Sequence, residues 1–138
     1  GNLNMHFWLN NIEYRFDLTP DAIRLFEDRT GECLIGKTRQ LRVEFSKCVS
    51  AKMGEEMLAA KMSKLITFQS VAYMLHSLAS QESKVITINE IQDGMLHVGD
   101  VPKSLGDTDE RSQNYIYTVM DVCNSINKYM RGIETGKK

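Results

Sequence analysis

The sequence predicts a single-domain α+β fold that is mainly α, an N-terminal β-hairpin followed by four to five helices. Three observations carry this expectation. A β-favouring run, Met5–Leu9, is joined through Asn10-Asn11 to the alternating stretch Glu13-Tyr14-Arg15-Phe16-Asp17. The segment from Leu18 to Gly31 contains both a start signal and a stop signal for a helix. Beyond it, apolar residues recur mostly at three- and four-residue spacing. At 138 residues the chain has the length of one ordinary domain, long enough to build a core without a disulfide or metal staple.

The hairpin is placed at residues 5–17. Tyr14 and Phe16 fall on one face, with Glu13, Arg15 and Asp17 on the other. Asn10-Asn11 tolerates the positive φ that a tight hairpin turn demands. An isolated hairpin is marginal in water, so this one must lie on helices or on another chain. Helices are expected across 19–131. Thr19 can cap the first one through its hydroxyl, Pro20 suits the first helical position, and Asp21 meets the positive end of the dipole. Gly31 is placed for a left-handed C-cap. Ala22, Ile23, Leu25, Phe26 and the stem of Arg29 share one broad face.

Glu32–Lys52 is less legible. Gly36 breaks the apolar Cys33-Leu34-Ile35, and a helix is expected from about Thr38, with Leu41, Phe45, Cys48 and Val49 at helical spacing. Gly54 interrupts it. One long helix is then expected from Glu55 to about Ser80, carrying Leu58, Met62, Leu65, Ile66, Val71, Ala72, Leu75 and Leu78. Thr87 and Glu90 form a capping box, closed by a hydrophobic staple between Ile86 and Ile91. That short helix is weakened by Gly94 and ended by Gly99 with Pro102, leaving 98–106 as loop. Asp107 opens the last helix, with Glu110 as a second box. Ile116, Val119, Met120, Cys123, Ile126 and Met130 line one face before Gly132 stops it, and 132–138 is a flexible tail.

Lys and Arg number 17 against 18 Asp and Glu, so the net charge of −1 offers no overall attraction to nucleic acid or an anionic membrane. No apolar run approaches the ~20 residues that span a bilayer. Residues 1–9 are too short and too polar for a signal peptide. Cys33, Cys48 and Cys123 form no C-x-x-C pair, which fits a reducing cytoplasm and gives no zinc spacing.

No catalytic motif, cofactor loop or metal set emerges. His6, His76 and His97 have no ligand partner one helical turn away. Asp107, Asp109 and Glu110 lack the calcium-loop pattern and read as helix-start acids. Nothing in the sequence places Cys33 or Cys48 beside His76. The basic stretch 37–52, with Phe45 inside it, is the minimal recipe for a nucleic-acid patch, although a solvated helix face is the default explanation. Lys37, Arg39 and Arg42 could instead meet the acidic Asp107 and Asp109 of another copy. Such head-to-tail contacts build rings or spirals. Eight methionines are many for this length. Met53, Met57, Met62 and Met74 gather around the long helix, either as core filler or, with Phe45, as adaptable surface for a partner helix.

The order of these elements resembles the tail assembly chaperones of long-tailed bacteriophages. The likeness rests on the hairpin, on a helix closing at Glu27-x-x-Thr30-Gly31 with Leu34-Ile35 after it, on Ala72-Tyr73-Met74-Leu75, and on Ile86-Thr87-x-x-Glu90-Ile91. It is best over residues 7–35 and looser over 65–91; the 36–54 stretch matches nothing in the family pattern. The resemblance implies a non-enzymatic protein of the host cytoplasm, absent from the virion. It implies binding to the tape-measure protein, which it keeps soluble, contact with the tail tube protein, and self-association into rings or spirals.

Overall fold

The computed structural model describes residues 5–97 and 114–134. An antiparallel pair, β1 (His6–Leu9) and β2 (Ile12–Arg15), is followed by α1 (Pro20–Thr30), α2 (Leu34–Ser50), α3 (Glu55–Ser63), α4 (Phe68–Ala79), α5 (Ile88–Leu96) and α6 (Tyr115–Glu134). The architecture is mainly α with a two-stranded N-terminal hairpin, as the sequence predicts.

The hairpin turns on Asn10 and Asn11, with φ of 50° and 66°, and pairs Phe7 with Tyr14 and Leu9 with Ile12. Phe7, Leu9, Tyr14 and Phe16 are buried on one face, and the rings of Phe7 and Tyr14 stack at 5.2 Å. This face lies on the helices: β1 packs against α5 and α6, and the Tyr14 hydroxyl donates to Glu90 Oε2 at 2.8 Å. Burial, and then Glu90, push the Tyr14 hydroxyl well above the usual phenol range.

The first helix follows its signals. Thr19 Oγ1 accepts from Ala22 N at 3.1 Å and donates to Gln81 Oε1 at 2.6 Å, so the cap also ties α1 to the end of α4. Gly31 takes φ 77° and returns its N–H to Glu27 O. Ala22 and Phe26 are fully buried. The most buried helix is α4, whose Val71, Ala72, Met74, Leu75, Ser77, Leu78 and Ala79 are all inaccessible. A helix apolar on most sides belongs at the centre of its neighbours, and α1 and α5 both pack on it.

Four expectations are corrected. The second helix begins at Leu34, not near Thr38, because Leu34 is fully buried and anchors the first turn. Exposed Gly36 inside it costs only about 1 kcal/mol of propensity. The long helix expected over 55–80 is two helices, giving six among the described residues. Thr67 caps the second of them by accepting from Ser70 N at 3.1 Å, while the chain turns to bury Ile66. The last helix continues through Gly132 to Glu134, since a glycine weakens a helix without breaking it. The Thr87–Glu90 capping box is half made: Thr87 Oγ1 accepts from Glu90 N, but the Glu90 carboxylate turns to Tyr14.

The described part of α6 is capped by Asn114, whose Oδ1 accepts from Ile116 N at 2.8 Å. The expected 98–106 loop, the Asp107 helix start and residues 135–138 of the expected tail lie outside the described residues.

Candidate functional site

The residues singled out for partner binding or self-association cluster on α2 and its neighbours. This helix lies antiparallel to α6. Ile35, Thr38, Arg39 and Arg42, near its start, face Ile126, Asn127, Met130 and Arg131 near the end of α6. Further along, Phe45 meets the Tyr117 ring edge-on at 6.0 Å. The aromatic seam continues where Phe68 of α4 packs edge-on against Tyr115 at 5.7 Å.

The basic stretch is divided by the fold. Lys37 is buried. Its ammonium pairs with Glu32 Oε2 at 3.0 Å and donates to Gln40 Oε1 at 2.8 Å and to the Leu65 carbonyl at 3.0 Å. That carbonyl sits at the break between α3 and α4, so Lys37 pins α2 to the break. It is an internal brace, which corrects its assignment to a self-association surface. Lys47 pairs with Glu44 at 3.4 Å. Arg39 is exposed and Arg42 half-buried, and neither has an acidic residue three or four positions away on α2.

These two arginines converge with Arg131 on a groove of about 40 Å³ between α2 and α6. Ile35, Ile126 and Met130 supply its apolar lining, and Thr38 and Asn127 its neutral polar groups. No carboxylate is among the described residues that line it. The sequence pointed to Arg39 and Arg42 but not to Arg131 and Asn127. No local pattern links positions so far apart; the antiparallel packing of α2 on α6 joins them. Asp107 and Asp109, the proposed acidic counterpart, lie outside the described residues.

The methionines separate into two groups. Met62 and Met74 are fully buried, and Met5, Met95 and Met120 are buried with them. A core role therefore replaces the partner surface expected of Met62 and Met74. Phe45 and Met53 are half-buried, and Met57 is 66% exposed. Val49, expected on the buried stripe, is 53% exposed. It lies one turn beyond Phe45 on the same side of α2. The Met53 N–H bonds Cys48 O at 3.1 Å, folding the connecting turn back over the end of that helix. Phe45, Val49, Met53 and Met57 thus succeed one another in the chain through the end of α2, the connecting turn and the start of α3, with Phe45 and Met53 also packed on the core.

Arg29 and His76 are held by structural partners. Arg29 spans from α1 to α4, with its guanidinium 5.2 Å from the Tyr73 ring centre and 2.9 Å from His76 Nδ1. A guanidinium only donates, so Nδ1 accepts and the imidazole is the neutral Nε2–H form. Its Nε2–H reaches the Ile86 carbonyl at 2.8 Å. Both nitrogens being engaged, His76 pairs with neither thiol. Cys33 is exposed, while Cys48 and Cys123 are buried. Burial pushes the Cys123 thiol up to about 12, only partly offset by Arg42 nearby. No group of three or more His, Cys, Asp or Glu that could hold a metal occurs among the described residues. Nor is any helix among them long and apolar enough to cross a membrane.

No family model, curated protein or solved structure matches this chain.

Proposed function

We propose that this chain is a tail assembly chaperone of the long-tailed phage type, non-enzymatic and active in the host cytoplasm. On this reading it holds a helix of the tape-measure protein in solution until the tail tube forms. The observation that carries it is the apolar corner of Phe45, Val49, Met53 and Met57, with Val49 and Met57 more than half exposed. A partner helix that presents apolar side chains every three or four residues fits such a surface. Thioether side chains adapt to varied neighbours, as a long helix of changing sequence requires. The hairpin-then-helices order agrees with the resemblance on which the proposal rests.

Self-association belongs to the same proposal. On α2, Arg39 and Arg42 are the cations that Glu32 and Glu44 do not engage, and they are assigned to a contact with Asp107 and Asp109 of a second copy. A nucleic-acid regulator built on 37–52 has less support, because Lys37 and Lys47 are engaged by Glu32 and Glu44.

The test is co-expression with a tape-measure protein encoded in the same phage genome. The native chain should bring that protein into the soluble fraction. Val49→Lys with Met57→Lys should fold normally, since both sites are exposed, yet leave the partner insoluble. A partner equally soluble with the variant, or insoluble with the native chain, refutes the reading. Size in solution and a salt-titrated DNA and RNA binding assay complete it. The proposal expects an oligomer and no nucleic-acid binding with the steep salt dependence of phosphate contacts.

A further inference from the structure

We infer that the outer edge of β2 pairs with β2 of a second copy, antiparallel and centred on Tyr14, so that the two hairpins join into one continuous sheet. β2 is an edge of a two-stranded sheet, and an open edge carries unpaired N–H and C=O groups that another strand can meet. Backbone bonding fixes which groups these are. Phe16 N donates to Met5 O at 3.0 Å, and the direction of bonding alternates along an antiparallel strand. Ile12, Tyr14 and Phe16 therefore bond towards β1, while Glu13 and Arg15 turn their backbone groups outward. The next outward N–H, that of Asp17, donates to the Leu78 carbonyl at 3.2 Å. Those of Glu13 and Arg15 have no such acceptor among the described residues, and both residues are exposed.

The side chains select both the partner and the register. Charged residues on an edge commonly repel a second strand, but Glu13 and Arg15 are of opposite sign. With the Tyr14 residues of two copies set opposite each other, each Glu13 lies directly across from Arg15 of the other copy. Both are outward-bonding positions, so each such pair also exchanges N–H···O=C bonds. Shifting the register by two residues, the smallest step that keeps the same faces together, sets Glu13 against Glu13 or Arg15 against Arg15. Like charges directly opposite destabilise a sheet. The Arg15 guanidinium has no side-chain partner among the described residues. Glu13 Oε2 lies 3.9 Å from His6 Nδ1, beyond hydrogen-bond reach, and its carboxylate is open to a second copy. Ile12, 46% exposed, comes opposite Phe16 of that copy and is covered. So short a strand buries an area at the low end of specific interfaces, so the association is weak. The contact uses neither Arg39 nor Arg42 and is independent of the chaperone reading.

The test follows amide hydrogen exchange of Glu13 and Arg15 by NMR in the full-length protein from roughly 1 μM to 1 mM, with sedimentation equilibrium over the same range. Exchange at these two amides should slow as concentration rises and the chain associates. Arg15→Glu makes both cross-strand pairs like-charged and should weaken this association by at least roughly tenfold. Glu13→Arg combined with Arg15→Glu restores the opposition with the signs exchanged and should recover it. Both positions are exposed, so the variants should fold as the native chain does, and circular dichroism checks this. A native chain whose two amides exchange at the same rate at every concentration overturns the inference. So does protection that Arg15→Glu leaves unchanged, or a double variant that associates no better than Arg15→Glu, because the register is then wrong. An oligomer without protection at this edge sinks the β2 pairing and leaves the Arg39 and Arg42 contact standing. Protected edge amides beside an insoluble tape-measure protein support the pairing and refute the chaperone reading alone.

Discussion

Gly94 lies inside α5, where most residues would strengthen the helix, yet the fold leaves no room for a side chain there. A Cβ built at Gly94 would stand 2.9 Å from Leu9 Cβ and 3.5 Å from Leu9 Cδ1. The nearer atom is the one that no rotamer change can move, so relief requires α5 and β1 to separate. Leu9 is fully buried, and overpacking of this kind costs about 1–3 kcal/mol. Separation would also stretch the bond from Tyr14 to Glu90, a hydrogen bond to a charged group worth about 1.5–3 kcal/mol when intact. Against these stands a propensity gain of about 1 kcal/mol for alanine over glycine. The steric losses win, and Gly94→Ala should destabilise the protein by about 1–2 kcal/mol. Gly36→Ala is the matched control. Its new Cβ would meet only Cys33 Cβ, at 3.8 Å, so it should stabilise by up to about 1 kcal/mol. Urea unfolding followed by the fluorescence of Trp8, the single tryptophan, reports directly on the hairpin. Should Gly94→Ala match or exceed the stability of Gly36→Ala, the close approach of α5 to β1 is wrong.

Two further perturbations probe the interior. The Cys123 thiol has a folded pKa raised from 9.0 to about 12, so its contribution is complete below pH 9 and is lost as pH climbs toward 12. Between pH 9 and 10 this thiol should make native stability fall with a slope of up to about 1.4 kcal/mol per pH unit, and Tyr14 and Tyr115, also raised by burial, begin to add to it as pH nears 10. Cys123→Ala should flatten that slope, and unfolding curves at a series of pH values show whether it does. Lys37→Met removes the ion pair with Glu32 and the bond to the Leu65 carbonyl. It should cost about 1–3 kcal/mol in urea unfolding while leaving the oligomeric state unchanged, whereas a surface role for Lys37 predicts the opposite pattern.

Local chemistry was legible in the sequence wherever neighbouring residues decide the outcome. Asn10-Asn11 adopts the positive φ of a tight turn because Asn tolerates it. Thr19, Pro20 and Gly31 bound α1 because capping involves only the adjacent backbone. Thr87 caps α5 for the same reason. What required the tertiary structure was every choice that depends on a distant partner. The apolar stripe over 55–80 is the same for one helix or two; what the fold shows is Lys37 taking the Leu65 carbonyl at the break. Met57 and Met62 are the same residue type in one short helix, yet one is exposed and the other fully buried. Periodicity marks an apolar face but does not say how much of it a neighbour will cover. Glu90 left its own capping box for Tyr14, 76 positions away in the chain. The convergence of Arg39 and Arg42 with Arg131 exists only because α2 and α6 pack antiparallel. Backbone geometry is set by nearest neighbours, whereas burial and charge pairing are properties of the packed whole.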